Sequence, residues 1–138
     1  MKIYRPVSLI LMCLFAVTGL LFLFIPGQVL TLFNHFSIPL GMPASPVTGL
    51  SFYLILAVGY MYLVTVLAFL MYRHPENKYF PQLLAHAKIA SSLLSLAFFL
   101  LHAHYLIYLA NFVIDGFIGA AILILYFKAG RLAQWASY

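Results

Sequence analysis

Leu83 to Phe127 reads LLAHAKIASSLLSLAFFLLHAHYLIYLANFVIDGFIGAAILILYF, two long apolar runs separated by His102-Ala-His104 and carrying only two formal charges, Lys88 and Asp115. Each run has the roughly 20 residues that a helix rising ~1.5 Å per residue needs to cross a hydrocarbon layer of about 30 Å. Uniformly apolar runs of this length satisfy their backbone hydrogen bonds as helices; a barrel strand would alternate in polarity. So few residues separate the runs that they are expected to form a tight antiparallel hairpin.

Outward from this hairpin the same pattern repeats. The chain is 66% hydrophobic and 7% charged, against about 25% charged in soluble domains, so it cannot clothe a globule with water-compatible surface. Spans are expected at 7–25, 47–72, 82–101 and 105–127, with an exoplasmic connection at 26–46. The expected fold is an all-α integral membrane four-helix bundle occupying 1–138 as one domain. No soluble catalytic domain, internal repeat or low-complexity tract is evident.

The remaining charges fall where apolar runs end: Lys2 and Arg5, then Arg73, Glu76 and Lys78, then Lys128 and Arg131. Four spans place both termini and the second loop on one side, and the positive-inside rule makes that side cytoplasmic in the cell membrane. The basic balance is then orientation chemistry. No basic patch interleaved with stacking aromatics extends beyond the membrane, which argues against nucleic acid; membrane lipids are the expected contacts. Lys2 and Arg5 before an apolar run resemble a secretory signal, but the run is long and Ile25-Pro26-Gly27 offers no small-residue cleavage site. The single cysteine, Cys13, excludes an internal disulfide and any CxxC pair.

Within 26–46, Val29, Leu30, Leu32, Phe33 and Phe36 approximate a helical apolar face between prolines and glycines. Either a short interfacial helix or a hydrophobic turn fits, and a lid over an exoplasmic opening is the functional variant. Most tyrosines mark span ends as an aromatic belt. Tyr60 and Tyr62 fall mid-span, where a phenol packs with its hydroxyl donated to a neighbour or lines a ligand cavity.

Lys88, Ser92, Ser95 and His102 recur at helical spacing on the third span, and Asn111, Asp115 and Gly119 share a face of the fourth. An acid within a span is costly facing lipid and is a candidate for proton transfer or for a polar ligand headgroup. Its alternative is a polar clasp between helices, worth about 0.6 kcal/mol on average. Counted from the span ends, Lys88 lies ~10 Å deep and Asp115 ~19 Å deep, level with Ser92 and Ser95. Both side chains also lean toward their helix N-termini, which are at opposite ends. An ion pair between Lys88 and Asp115 is the obvious arrangement, and the lysine stem could bend back to make it. This geometry nevertheless favours snorkelling of Lys88 to the headgroups, leaving Asp115 protonated or held by Ser92, Ser95, Asn111 or a mid-span tyrosine. The candidate ligand or proton site comprises Asp115, Asn111, Ser92, Ser95, Lys88, Tyr60 and Tyr62.

No catalytic nucleophile motif, phosphate loop or zinc signature is present, and no cofactor is expected. Haem held by two histidines would need ligands on facing helices, yet His86 alone lies inside a span; His35, His102 and His104 lack a carboxylate or cysteine to complete a metal site. Small residues on the last two spans, Ala90, Ser91, Ser92 and Ser95 facing Ala110, Gly116, Gly119, Ala120 and Ala121, suit close helix contact within the chain or with another subunit.

Gly19 to Phe33, GLLFLFIPGQVLTLF, is similar to the end of the first helix in DoxX-like small membrane proteins, where such a helix runs into a glycine and an amphipathic segment. The resemblance implies a four-helix membrane protein associated with quinone-linked or redox complexes, and carries over no catalytic residue. Three roles follow as expectations. The first is a structural or accessory subunit of a larger membrane complex, packed against other subunits or a second copy, a role that leaves enzymatic activity open but disfavoured. The second is a lipid- or quinone-binding protein or enzyme using Asp115, and the third an oligomeric transporter or proton pathway.

Overall fold

The computed structural model describes residues 3–49 and 51–135, with side chains undescribed at 51–52 and 128–135. Lys2 and the side chains of Lys128 and Arg131, on which the predicted orientation partly rests, lie outside that description. The described chain is helical: α1 (Tyr4–Phe24), α2 (Pro26–Ser37), a short 3-10 turn (Ile38–Leu40), α3 (Ser51–Arg73), α4 (Tyr79–Leu101) and α5 (Leu106–Trp135). Four of these helices, all but α2, are long and apolar enough to cross a membrane.

The helix ends differ from the sequence expectation for identifiable reasons. α1 and α4 start before their prolines, at Tyr4 and Tyr79, because Pro6 and Pro81 fall in the first turn, where a missing N–H and a fixed φ cost nothing. α3 starts at Ser51, later than the expected 47. Gly49 has φ +75°, a left-handed conformation that favours glycine and cannot be part of a right-handed helix. α5 continues beyond 127 to Trp135.

The 26–46 connection contains a helix, Pro26–Ser37, and not merely a turn. Pro26 opens α2 after a break at Ile25 (φ −135°, ψ 46°). Gly41, at φ +65°, closes the following 3-10 turn: its N–H donates to Ile38 O at 3.1 Å, and the Met42 N–H donates to Ser37 O at 3.1 Å. Asn34 then ties down the returning part of this connection. Its Oδ1 accepts from the Ser45 N–H (2.8 Å) and from Ser45 Oγ (2.9 Å), while its Nδ2 donates to Ser45 O (2.9 Å).

α1 packs along α3, and α4 along α5; contacts of α3 with α4 join the two pairs, while α2 touches α1 and α5. Tyr4, Leu11, Phe15, Val64, Ala68, Met71, Leu84, Ala85, Ile118 and Ile122 form the apolar core. They come from residues 4–15 of α1, 64–71 of α3, 84–85 of α4 and 118–122 of α5. Packing is thus tightest toward the end of the bundle that carries Arg73, Glu76 and Lys78. From 93 to 114, on the far halves of α4 and α5, no residue is fully buried.

Candidate functional site

The site lies at the upper edge of this core, where all four long helices contribute. Lys88 reaches from α4 to Asp115 on α5, with Nζ 2.9 Å from Oδ1, and the two residues are 2% and 4% exposed. The ammonium also lies 4.4 Å from the ring centroid of Phe15 on α1 and 5.1 Å from that of Tyr60 on α3. Aromatic faces at such distances attract a cation through their quadrupoles. The Tyr60 hydroxyl donates to Ala87 O at 3.0 Å, one residue before Lys88. That bond holds the ring beside the ammonium.

Above the pair, α4 and α5 are joined by neutral hydrogen bonds. Ser92 Oγ donates to Phe112 O at 2.8 Å, and Asn111 Nδ2 donates to Ser95 Oγ at 2.7 Å and to Ser91 Oγ at 3.1 Å. Glycines permit this approach. A Cβ built on Gly116 would lie 2.9 Å from Ser92 Oγ, and one on Gly119 would lie 2.9 Å from Ile89 Cγ1.

These contacts correct the expectation for Lys88. It does not snorkel to the headgroup side; it turns inward and pairs with Asp115. Ser92, Ser95 and Asn111 bond to one another and to backbone, and among the described contacts none of them holds the carboxylate. Because α4 starts at Tyr79, depth counted from 82 or 83 places Lys88 too near the end of the helix. The Ser92–Phe112 and Ile89–Gly119 contacts put Lys88 and Asp115 only about three residues, or ~4.5 Å, apart in depth. A four-carbon stem spans that against the usual lean of the side chain.

Tyr60 and Tyr62 part company. Tyr60 joins the site, whereas Tyr62 is 72% exposed and lies outside it. Two participants were not identified from sequence. Ser91 follows Lys88 by three residues and so shares its face, a detectable signal; Phe15 is one aromatic among many in an apolar run and carries none. His86 is exposed, with Nδ1 2.7 Å from Gln82 O. His102 lies tilted against Phe98, and His104 meets Phe99 edge-on. Among the described residues no cluster of three or more His, Cys, Asp or Glu side chains could hold a metal.

Chemically, the two charges neutralise each other in a setting walled by rings and aliphatic side chains. Asp115 Oδ2 is buried with no hydrogen-bond partner among the described residues, so one acceptor of the carboxylate remains unsatisfied. Two cavities lie away from the pair. One of about 510 Å³ is lined by the α3–α4 connection, the start of α4 and Tyr126; one of about 670 Å³ lies along α2 and includes His35 and Val47.

No family model matches this chain, and no curated protein or solved structure matches it.

Proposed function

We propose that this is a small integral membrane protein of the cell membrane serving as a structural or accessory subunit of a larger membrane complex. The observation that carries this reading is the internal closure of Lys88 on Asp115. Charges that satisfy each other inside the chain act as a clasp between helices, and present no charged group to a substrate. Most of each span faces outward and is apolar, which suits lipid and neighbouring spans alike. The partners are therefore membrane lipids and either other membrane subunits or a second copy, with no nucleic acid. The chain holds no cofactor of its own, and a haem bound by two of its histidines is not part of this reading. DoxX-like ancestry, with its quinone-linked or redox association, belongs to the same proposal on the strength of residues 19–33.

In this arrangement α4 and α5 form a tight antiparallel hairpin, and both termini and the Arg73–Lys78 loop are cytoplasmic, as the cationic residues at the span ends support. Purification in mild detergent tests the role: the protein should co-purify with other membrane subunits or as an oligomer. A stable monomer with nothing bound would count decisively against it.

One observation favours a second reading. The unpartnered, buried Oδ2 of Asp115 is an acceptor that a transferred proton or a lipid or quinone hydroxyl would satisfy, with Tyr60, Ser92, Ser95 and Asn111 nearby. An Asp115→Asn variant should then lose a ligand detectable in lipid extracts, or lose proton flux in reconstituted vesicles. Identical extracts and identical flux would eliminate this alternative.

A further inference from the structure

The cavity of about 510 Å³ at the start of α4 is lined by Glu76, Asn77, Lys78, Tyr79, Gln82 and Tyr126. Its position is defined by the spans: Tyr79 is the first residue of one candidate membrane helix, and Tyr126 lies one residue before the end of another. An opening there faces the layer in which hydrocarbon gives way to headgroups, the depth at which tyrosines anchor. It is a shallow, open depression whose surface is mostly apolar, with polar tips and both signs of charge at its rim. Lys78 supplies an ammonium that makes no ion pair among the described residues, and Glu76, two residues away, supplies a carboxylate whose Oε1 is 3.4 Å from His74 Nδ1. Asn77 and Gln82 add carboxamides, and Tyr79 and Tyr126 add phenols. The Asn77 Oδ1 accepts from the Tyr79 N–H at 2.9 Å, which holds the loop against the first turn of α4. That turn contains no acidic residue, so nothing within it opposes an anion.

From this cavity we propose a binding site for a zwitterionic phospholipid headgroup bearing a primary ammonium, of the phosphoethanolamine type. The phosphate lies toward Lys78 and the phenol of Tyr126, and the ammonium toward Glu76. A site with one cation and one anion matches a headgroup of the same composition. A purely anionic headgroup would meet Glu76 as a like charge, and a quaternary ammonium would offer Glu76 no N–H donor. The proposal rests on the membrane placement of the four spans and is independent of the accessory role, so the failure of either leaves the other standing.

The test uses the full chain purified in mild detergent and loaded with equimolar phosphatidylethanolamine, phosphatidylcholine and phosphatidylglycerol, with retained lipid counted by native mass spectrometry. Phosphatidylethanolamine should be retained about two- to fivefold over each of the others, the scale of one exposed ion pair. Glu76→Gln should abolish that preference, and Lys78→Gln should lower retention of all three. Added soluble phosphoethanolamine should displace the lipid only at large excess, which identifies the acyl-bearing lipid as the ligand; displacement at equimolar concentration would assign the site to the free headgroup and overturn the lipid assignment. Helical content and elution volume of both variants should match the parent, because both side chains are exposed loop residues. Equal retention of the three lipids, preference for phosphatidylglycerol, or an unchanged pattern in both variants would overturn the proposal.

Discussion

Lys88 Nζ and Asp115 Oδ1 lie 2.9 Å apart across the α4–α5 contact, with side chains only 3% and 6% exposed. A buried pair of this kind contributes little relative to apolar residues of the same size, but removing one partner strands the other charge at a cost of about 3–5 kcal/mol. Lys88→Met and Asp115→Leu should each destabilise the protein by about 3 kcal/mol, while the double substitution should return to within about 1 kcal/mol of the parent. Reversible unfolding in mixed micelles measures all three. Strictly additive losses would show that the pair is not a coupled clasp.

The glycines of the bundle should respond in opposite directions. Gly119→Ala pushes a methyl to 2.9 Å from Ile89 Cγ1, with Ala85 O and Ile89 N close behind at 3.5 and 3.4 Å, and should cost about 1–3 kcal/mol by overpacking. A methyl on Gly59 would meet nothing within 4 Å. Gly59→Ala should therefore stabilise by about 0.5–1 kcal/mol through helix propensity alone. Thermal unfolding in detergent separates the two, and similar shifts for both variants would contradict the packing described.

A comparison of the two mid-span tyrosines isolates one hydroxyl. Tyr60→Phe removes the 3.0 Å bond to Ala87 O and should cost about 1 kcal/mol. Tyr62→Phe, on an outward face, should stay within about 0.5 kcal/mol of the parent. The same unfolding assay applies; equal effects would show that the Tyr60 hydroxyl bond contributes nothing to stability.

Asn34 is expected to control the α2–α3 connection. Its three bonds to Ser45 link positions eleven residues apart, so Asn34→Ala should accelerate amide exchange and protease cleavage between 38 and 49 while leaving global stability within about 1–2 kcal/mol. Unaltered exchange in that segment would mean that the loop is held by other contacts.

Much of the architecture could be read directly from residues. Long apolar runs and sparse charges identified four membrane-length helices, and the apolar spacing at 29–36 identified a helix as one form of the connection. Helix ends were less legible, because a proline in the first turn is as compatible with a start as with a boundary. The late start assigned to α4 carried into the site: it displaced Lys88 in depth, and so made its pairing with Asp115 look less favourable than snorkelling. The spacing of Ser92, Ser95, Asn111 and Gly119 marked the facing sides of α4 and α5, since helical periodicity decides which residues share a face. His102, counted in the same stripe, instead lies beyond the end of α4 and is exposed. Which donor meets which acceptor across those faces was not legible.

Composition alone determined that this chain is helical, that its helices suit a lipid environment, and that Lys88 and Asp115 are exceptional within it; each follows from the cost of placing polar groups away from water. Only the tertiary structure decided that the two charges meet, that Phe15 and Tyr60 wall them in, and that Tyr62 faces outward. Those outcomes depend on helix register and rotation, set by close contacts such as Gly119 against Ile89. A shift of one residue along a helix turns a side chain by about 100°, a difference that no count along the chain resolves.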